Sequence, residues 1–383
     1  MTLTSTKTHP VTGEPSERPK VLIVGAGIGG VTMGMLLTKA GIPFDIYERA
    51  SPVKPLGSAL FFNATTAKLF RQFGSSGYIV SRPMMYDLLL RQVPKARIHM
   101  SKKVTTVEQT NDGVVIHFDD KTTAKGDILV GADGAYSEVR QCIYDDLRNE
   151  GQLWLPTLNL YHSPTLVLLG PQAAEVMSAE VRDFPIISVG DKITTVGDLI
   201  DLTPKEYISK VMLEEKAFET WHHKRINPSG GSGANNAIHD TITLANWLNV
   251  LTNLPTTAEI ENGFEKYKAE RLPWVKQSFD SSLIFKVMVE ANFKAKLVKL
   301  VSKYMPSWVS RKMLIRMTIN QPEVSFLPPS EYLGSIAPAP QLSYDETLAI
   351  LQERERKLQE GMAQSSAGPL VATAGAAPAA TAV

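Results

Sequence analysis

Four apolar residues, Val21 to Val24, lead into a glycine-rich stretch from Gly25 to Gly30. Apolar positions then recur at helical spacing from Val31 to Lys39, and a second extended apolar run covers Phe44 to Glu48. This order predicts strand, turn, helix and strand, with Gly41 ending the helix. Farther along, Arg82 to Leu90 reads as a helix. The segments Arg97 to Val107 and Val114 to Phe118 flank Asn111-Asp112-Gly113, the signature of a hairpin. Residues 126 to 134 read as a buried strand running into a turn, with a helix from Ser137 onward. From 151 to 220 the texture changes to short apolar stretches broken by Pro and Gly, and helical patterns return over Ile238 to Leu251 and Ala258 to Glu270.

The two ends of the chain differ from this body. Residues 1 to 19 are polar and rich in Thr, Ser, Pro and Glu, and residues 365 to 383 are mostly Ala, Pro, Gly and Thr. Both are expected to be disordered, because neither can bury enough surface to offset the entropy of ordering. No apolar run has the form of a signal peptide or a membrane span, so the expected setting is intracellular, either cytoplasmic or peripherally membrane-associated. With 40 Lys+Arg against 39 Asp+Glu, no global field favours nucleic acid as a partner. A single cysteine, Cys142, excludes an internal disulfide, and the seven histidines show no metal-ligand spacing, so no metal is expected.

The most informative segment is Gly25-Ala26-Gly27-Ile28-Gly29-Gly30, a G-x-G-x-x-G motif between strand and helix. Gly25 permits the tight turn, Gly27 lets backbone approach a pyrophosphate, and Gly30 lets helix and strand pack closely. The helix N-terminus offers free amides to phosphate charge. Glu48 closes the second strand where a carboxylate can accept hydrogen bonds from ribose hydroxyls. These features point to a dinucleotide without choosing between FAD and NAD.

Further segments resemble the FAD-dependent monooxygenases of the aromatic-hydroxylase class, especially fungal members acting on terpenoid and related secondary metabolites. They are Glu48-Arg49, Gly57 within Pro55-Leu56-Gly57-Ser58, Arg82 at the head of its helix, and Gly131-Ala132-Asp133-Gly134. To these is added the second glycine-rich turn, Pro228-Ser229-Gly230-Gly231-Ser232-Gly233-Ala234. The resemblance implies an α/β fold: a Rossmann-type FAD-binding domain (20–150 and 221–285), an inserted, shortened β-rich substrate domain (151–220) and a C-terminal helical region (286–330). It implies FAD as cofactor and NAD(P)H as electron donor. Gly25, Gly27, Gly30, Glu48, Arg49, Gly57, Arg82, Asp133, Gly231, Gly233 and Ala234 would hold the flavin nucleotide. Arg82 also reads as a solvated surface arginine, and Asp133 also suits an Asp-Gly turn beside a Ser137 helix cap. No catalytic side chain stands out, as expected where the cofactor carries the bond-making.

The pattern departs from the family in three places. Relatives carry a strand ending in Gly-Asp before the second glycine-rich turn, whereas here His222-His223-Lys224-Arg225 runs straight into Ile226-Asn227-Pro228, so that strand is expected to be absent. The stretch between Gly74 and Tyr78 and the 151–220 region are also short. The first functional expectation is a monooxygenase using NAD(P)H and O₂ to hydroxylate or epoxidise a small hydrophobic substrate. The second is a vestigial FAD fold that has lost turnover through the missing strand. An NAD-dependent dehydrogenase is disfavoured by the second glycine-rich turn, for which such a domain has no use.

One feature lies outside this frame. Between Lys286 and Arg316 there are eight Lys/Arg and one acid, Glu290, with Phe293, Leu297, Leu300, Val301 and Tyr304 at helical spacing and Trp308 beyond. This predicts either a helical pair packed on the flavin domain with a solvated basic face, or peripheral membrane contact.

Overall fold

The structure is a computed structural model describing residues 18–51, 59–61, 79–110, 112–134, 137–152, 182–183, 185–189, 192–202, 220–228, 233–289, parts of 304–329, and 338–366. The leader up to residue 17, Gly57, the 62–78 stretch, Gly231 and the tail beyond 366 lie outside these residues.

The predicted unit at the start is present: β1 (Val21–Val24), α1 (Ile28–Ala40) and β2 (Phe44–Tyr47). Gly41, at φ 67°, ends α1 in the left-handed conformation that favours glycine. Order reaches back to Arg18, two residues before the expected start at Lys20. The Arg18 guanidinium donates to the Ala40 carbonyl at 2.6 Å and to the Asn249 carbonyl at 2.7 Å, pinning the start of the chain to two helix ends.

Two short strands, β3 (Ala59–Phe61) and β4 (Ile79–Ser81), form an antiparallel pair, and α2 (Arg82–Leu90) follows where the sequence placed it. The extended stretch expected from Arg97 breaks up into β5 (Ile98–His99) and β6 (Val104–Thr110). β6 pairs with β7 (Gly113–Phe118) as the expected hairpin, and β8 (Thr123–Gly126) extends it to three strands. β9 (Ile128–Gly131) and α3 (Glu138–Asn149) come next.

Within 151–220 the described parts are an antiparallel pair, β10 (Pro185–Val189) and β11 (Lys192–Thr195), with the short helix α4 (Val196–Leu202). The chain then returns as β12 (Ile226–Pro228), α5 (Ala234–Asn249), the long α6 (Thr257–Val289) and finally α7 (Leu342–Ser366).

The central sheet has the order β12-β9-β1-β2-β5 and its pairings are parallel. β1 lies between β2 and β9, in register Val21 to Phe44 on one side and Val21 to Ile128 on the other. Its four residues are buried, as both faces of a parallel sheet are covered. Alternation then builds two cores. Ile23 and Val130 face α1, α5 and α6 through Leu36, Ile238, Ile242 and Phe264. Leu22 and Leu129 face the three-stranded sheet and α3 through Val114, Ile116, Val139 and Ile143.

The expected absence of a strand before the second glycine-rich turn is not what the structure shows. Ile226–Pro228 pairs parallel with β9, Ile226 against Leu129 and Pro228 against Gly131. Three residues suffice because β12 pairs with one neighbour, β9, among the described residues, and Pro228, which cannot donate, ends it. The aspartate of the relatives has no counterpart in this strand.

Candidate functional site

Because the strands run parallel, β1, β9 and β12 deliver their following loops to one edge of the sheet. The chain steps from β1 to β2 on one side and later to β9 on the other, so the order reverses beside β1. Ligands of open α/β sheets bind in the crevice at such a reversal. A cleft of about 230 Å³ lies there, lined among others by Gly25, Gly27, Glu48, Arg49, Lys103 and Asp133. It is smaller than the roughly 300–1,000 Å³ sites that enclose a whole drug-sized ligand, so it suits one end of a dinucleotide.

The three motif glycines have different surroundings. At Gly25, φ is 100° and a Cβ would sit 2.5 Å from the Ala132 carbonyl oxygen. At Gly30 a Cβ would fall 1.9 Å from the Gly25 carbonyl oxygen, so helix and turn touch through backbone. Gly27, which caps α1, has nothing within 4 Å of its Cβ position, leaving the α1 N-terminus open to the cleft.

Two side chains hold the turn from outside it. Glu48 accepts from the Ala26 amide at 2.7 Å through one carboxylate oxygen and from the Ala50 amide at 2.8 Å through the other. A carboxylate has about four acceptor positions, so ribose hydroxyls can still be bound. Tyr86, on the buried face of α2, donates its hydroxyl to the Ala26 carbonyl at 2.8 Å. Burial, reinforced by Glu48, pushes that phenol up to about 12, so it stays a donor at neutral pH.

Asp133 follows β9. One oxygen accepts from the amides of Glu138 at 2.8 Å and Val139 at 3.2 Å, while Ser137 caps α3 by accepting from the Arg140 amide at 3.0 Å. Its other oxygen is shut from solvent and has no hydrogen-bond partner among the described residues. One side chain thus organises the start of α3 at the wall of the cleft.

Arg49 is exposed on the cleft wall. Arg82 opens α2 and is exposed, outside the lining of this cleft. Gly233, at φ 84°, caps α5, and Ala234 is its first residue. At Gly29 a Cβ would lie 3.5 Å from the Ala237 Cβ, so small residues let α1 and α5 approach and set the start of α5 beside the first glycine turn. Deeper in α5, Asp240 accepts from the Arg271 Nε at 2.8 Å, both side chains being 1% exposed.

Lys102, Lys103 and Tyr86 are contributions that sequence reasoning missed. Lys102 and Lys103 reach the cleft from the start of the hairpin, and the Lys102 ammonium is held by Asp120 at 2.5 Å and Thr122 at 2.7 Å. Tyr47, also in the lining, stacks on His99 with ring centroids 5.0 Å apart. Cys142 offers no nucleophile, because burial raises its thiol to about 11. Among the described residues no cluster of three or more His, Cys, Asp or Glu could hold a metal ion.

The chain has known relatives. Residues 18–90 match the FAD binding domain family model. The FAD-dependent monooxygenase penM of Penicillium crustosum is 24% identical over 361 residues, an alignment spanning 68% of this chain and 77% of that protein. The FAD-dependent monooxygenase olcE of Penicillium canescens is 26% identical, over 77% of this chain and 87% of the relative. Among solved structures, Klebsiella pneumoniae HpxO complexed with FAD and uric acid is similar in fold, with a TM-score of 0.54 at 14% identity, covering 78% of this chain and 96% of that one.

Proposed function

Starting from an FAD-dependent oxidoreductase related to the FAD-dependent monooxygenases, we propose that this chain uses NAD(P)H and O₂ to hydroxylate or epoxidise a small hydrophobic substrate. The single observation that supports this most is the convergence of an open α1 N-terminus at Gly27, the Glu48 carboxylate and the Asp133 turn at one cleft. When bound, FAD would supply the redox chemistry between nicotinamide and oxygen, and the protein's part is to hold and orient it.

The residues present fit that group. Amides at the start of α1 bind pyrophosphate charge, with Gly27 leaving the space a side chain would fill. Glu48 accepts from ribose hydroxyls while its bonds to Ala26 and Ala50 hold it still. Arg49, Lys102 and Lys103 place positive charge around the same end. Gly25, Gly30, Arg82, Asp133, Gly233 and Ala234 are assigned to the cofactor with them, as are Gly57 and Gly231, which lie outside the described residues. The start of α5 brings a second helix N-terminus to the same edge, and such a terminus stabilises negative charge on a reduced ring. With β12 in place, no observation favours the turnover-free alternative.

The test is oxygen consumption by FAD-loaded protein supplied with NADPH or NADH. Nucleotide-dependent uptake that rises with an oxygenated hydrophobic product supports the proposal. Flavin reduction with no oxygen uptake contradicts it.

A further inference from the structure

Of the exposed large hydrophobic residues among those described, only two are aromatic: Tyr304, 72% exposed, and Trp308, 68% exposed. They stand four positions apart, and residues 308, 309, 312, 315 and 316 are helical. Trp308, Lys312 and Arg316, again four apart, are all exposed, while Val309 and Ile315 are half-buried. The segment is anchored. Gln277 on α6 accepts from the Arg316 Nε at 3.1 Å and donates to the Arg316 carbonyl at 3.0 Å.

Large aromatic rings left in water lose the burial that favours them, and Trp and Tyr settle where one end is apolar and the other wet. Exposed basic side chains beside them add attraction to an anionic surface. The 286–316 segment carries eight Lys/Arg and one acid in a chain whose net charge is only +1, so the positive charge is concentrated here. Among the described residues no helix is long and apolar enough to cross a membrane.

We propose that Tyr304, Trp308, Lys312 and Arg316 form a docking face for an anionic lipid bilayer, with the aromatic rings at the headgroup level and the cations against lipid charge. The occupant is specified by both halves of the face: a neutral apolar surface leaves the cations unanswered, and a soluble polyanion leaves the rings in water.

The experiment is co-sedimentation of the full chain, loaded with FAD, with vesicles of phosphatidylcholine alone and of phosphatidylcholine and phosphatidylserine at roughly three to one, a mixture that carries a negative surface potential. The chain is expected to pellet with the anionic vesicles and to be released by salt. Trp308→Ala should weaken binding roughly tenfold through lost apolar burial. Lys312→Ala should weaken it about fivefold through one lost cation. Brominated lipid should quench fluorescence in the original chain and less in Trp308→Phe, which retains binding. Circular dichroism and flavin retention check that each variant is folded.

Equal binding to both vesicle types, binding unchanged in Trp308→Ala, or no binding at all would each overturn the proposal. So would a Trp308-dependent dimer that ignores vesicles. The assay reads no turnover, so its outcome stands apart from the flavin reaction.

Discussion

The polar groups around the first glycine-rich turn and those around β12 and α5 are satisfied in different ways. Around Gly25–Gly30 the polar groups answer one another: Glu48 and Tyr86 both bind Ala26, one at its amide and one at its carbonyl. The turn before α5 is flanked instead by buried polar groups with spare capacity. Asn227 is fully buried and neither polar atom of its side chain has a partner among the described residues. Asp240 and Arg271 share one bond at 2.8 Å, while Asp240 Oδ2 and both Arg271 Nη atoms have no further partner among those residues. The first turn is braced through Ala26 by Glu48 and Tyr86, while α5 is tied to α6 by one buried ion pair with unspent polar atoms, which makes α5 the easier of the two to disturb.

Arg271→Met should therefore have the largest effect, about 3–5 kcal/mol of lost stability in urea unfolding, because it strands the Asp240 charge in the core. Replacing both partners, Asp240→Leu with Arg271→Met, should restore most of that loss. A double variant as unstable as the single would show that the pair is not the support described.

Gly30→Ala attacks the other turn. Its Cβ meets backbone at 1.9 Å, and the expected cost is on the order of 3 kcal/mol, with loss of retained flavin. Full flavin retention in this variant would contradict the close packing of α1 on the turn.

Glu48→Gln removes the charge and replaces one accepting oxygen with an NH2 donor, so it keeps only one of the bonds to Ala26 and Ala50. FAD affinity should fall about tenfold to a hundredfold, corresponding to about 1.5–3 kcal/mol, with a smaller drop in melting temperature from the lost amide bond. Fluorescence titration with FAD reads the shift, and an unchanged affinity would remove Glu48 from the site.

The buried α5 region should also carry a pH signature. His239 is held well below its ordinary value, first by burial and then by Arg271. The unfolded chain takes up that proton near pH 6.5 while the folded chain does not, so stability is lost as pH falls below about 6.5, at up to about 1.4 kcal/mol per pH unit. Asp240 and Glu270, raised chiefly by burial, act in the opposite sense, adding stability as pH falls through their raised values. The His239 effect is isolated between about pH 6.5 and 5 as the difference between the original chain and His239→Gln, which share those carboxyls. Parallel stability curves would refute it.

Tyr86→Phe is the mildest change. It leaves the Ala26 carbonyl without its donor, at about 0.5–1.5 kcal/mol, seen as a small drop in melting temperature.

These contrasts also explain what could be read in the chain before its fold. Strand, glycine turn, helix and acid lie within 30 residues, and each is dictated by backbone geometry, so Gly25, Gly27, Gly30 and Glu48 were legible as a set. Tyr86 was not, because it reaches Ala26 from 60 residues away, and nothing local distinguishes it from an ordinary core tyrosine. Lys102 and Lys103 were hidden for the same reason, following β5 in a segment that resembles any exposed strand end.

β12 escaped notice because three residues ending in proline carry no strand periodicity; its neighbour β9 defines it. α7 was missed because its most buried positions are Ser343 and Thr347, not apolar residues. They pack through hydrogen bonds, the Ser343 amide to Glu270 at 2.8 Å and the Thr347 hydroxyl to Ser325 at 2.6 Å. Asp133 was legible as a turn residue beside the Ser137 cap, and the structure uses it at the head of α3.

The most direct measurement is the visible spectrum of the purified chain after incubation with excess FAD and desalting, run beside Gly30→Ala. A retained flavin band in the original chain that is missing from the variant is the expected result, since the cleft at β1 and β9 is built on that backbone contact. No band in the original chain, or equal bands in both, would contradict the assignment of this cleft to the flavin nucleotide.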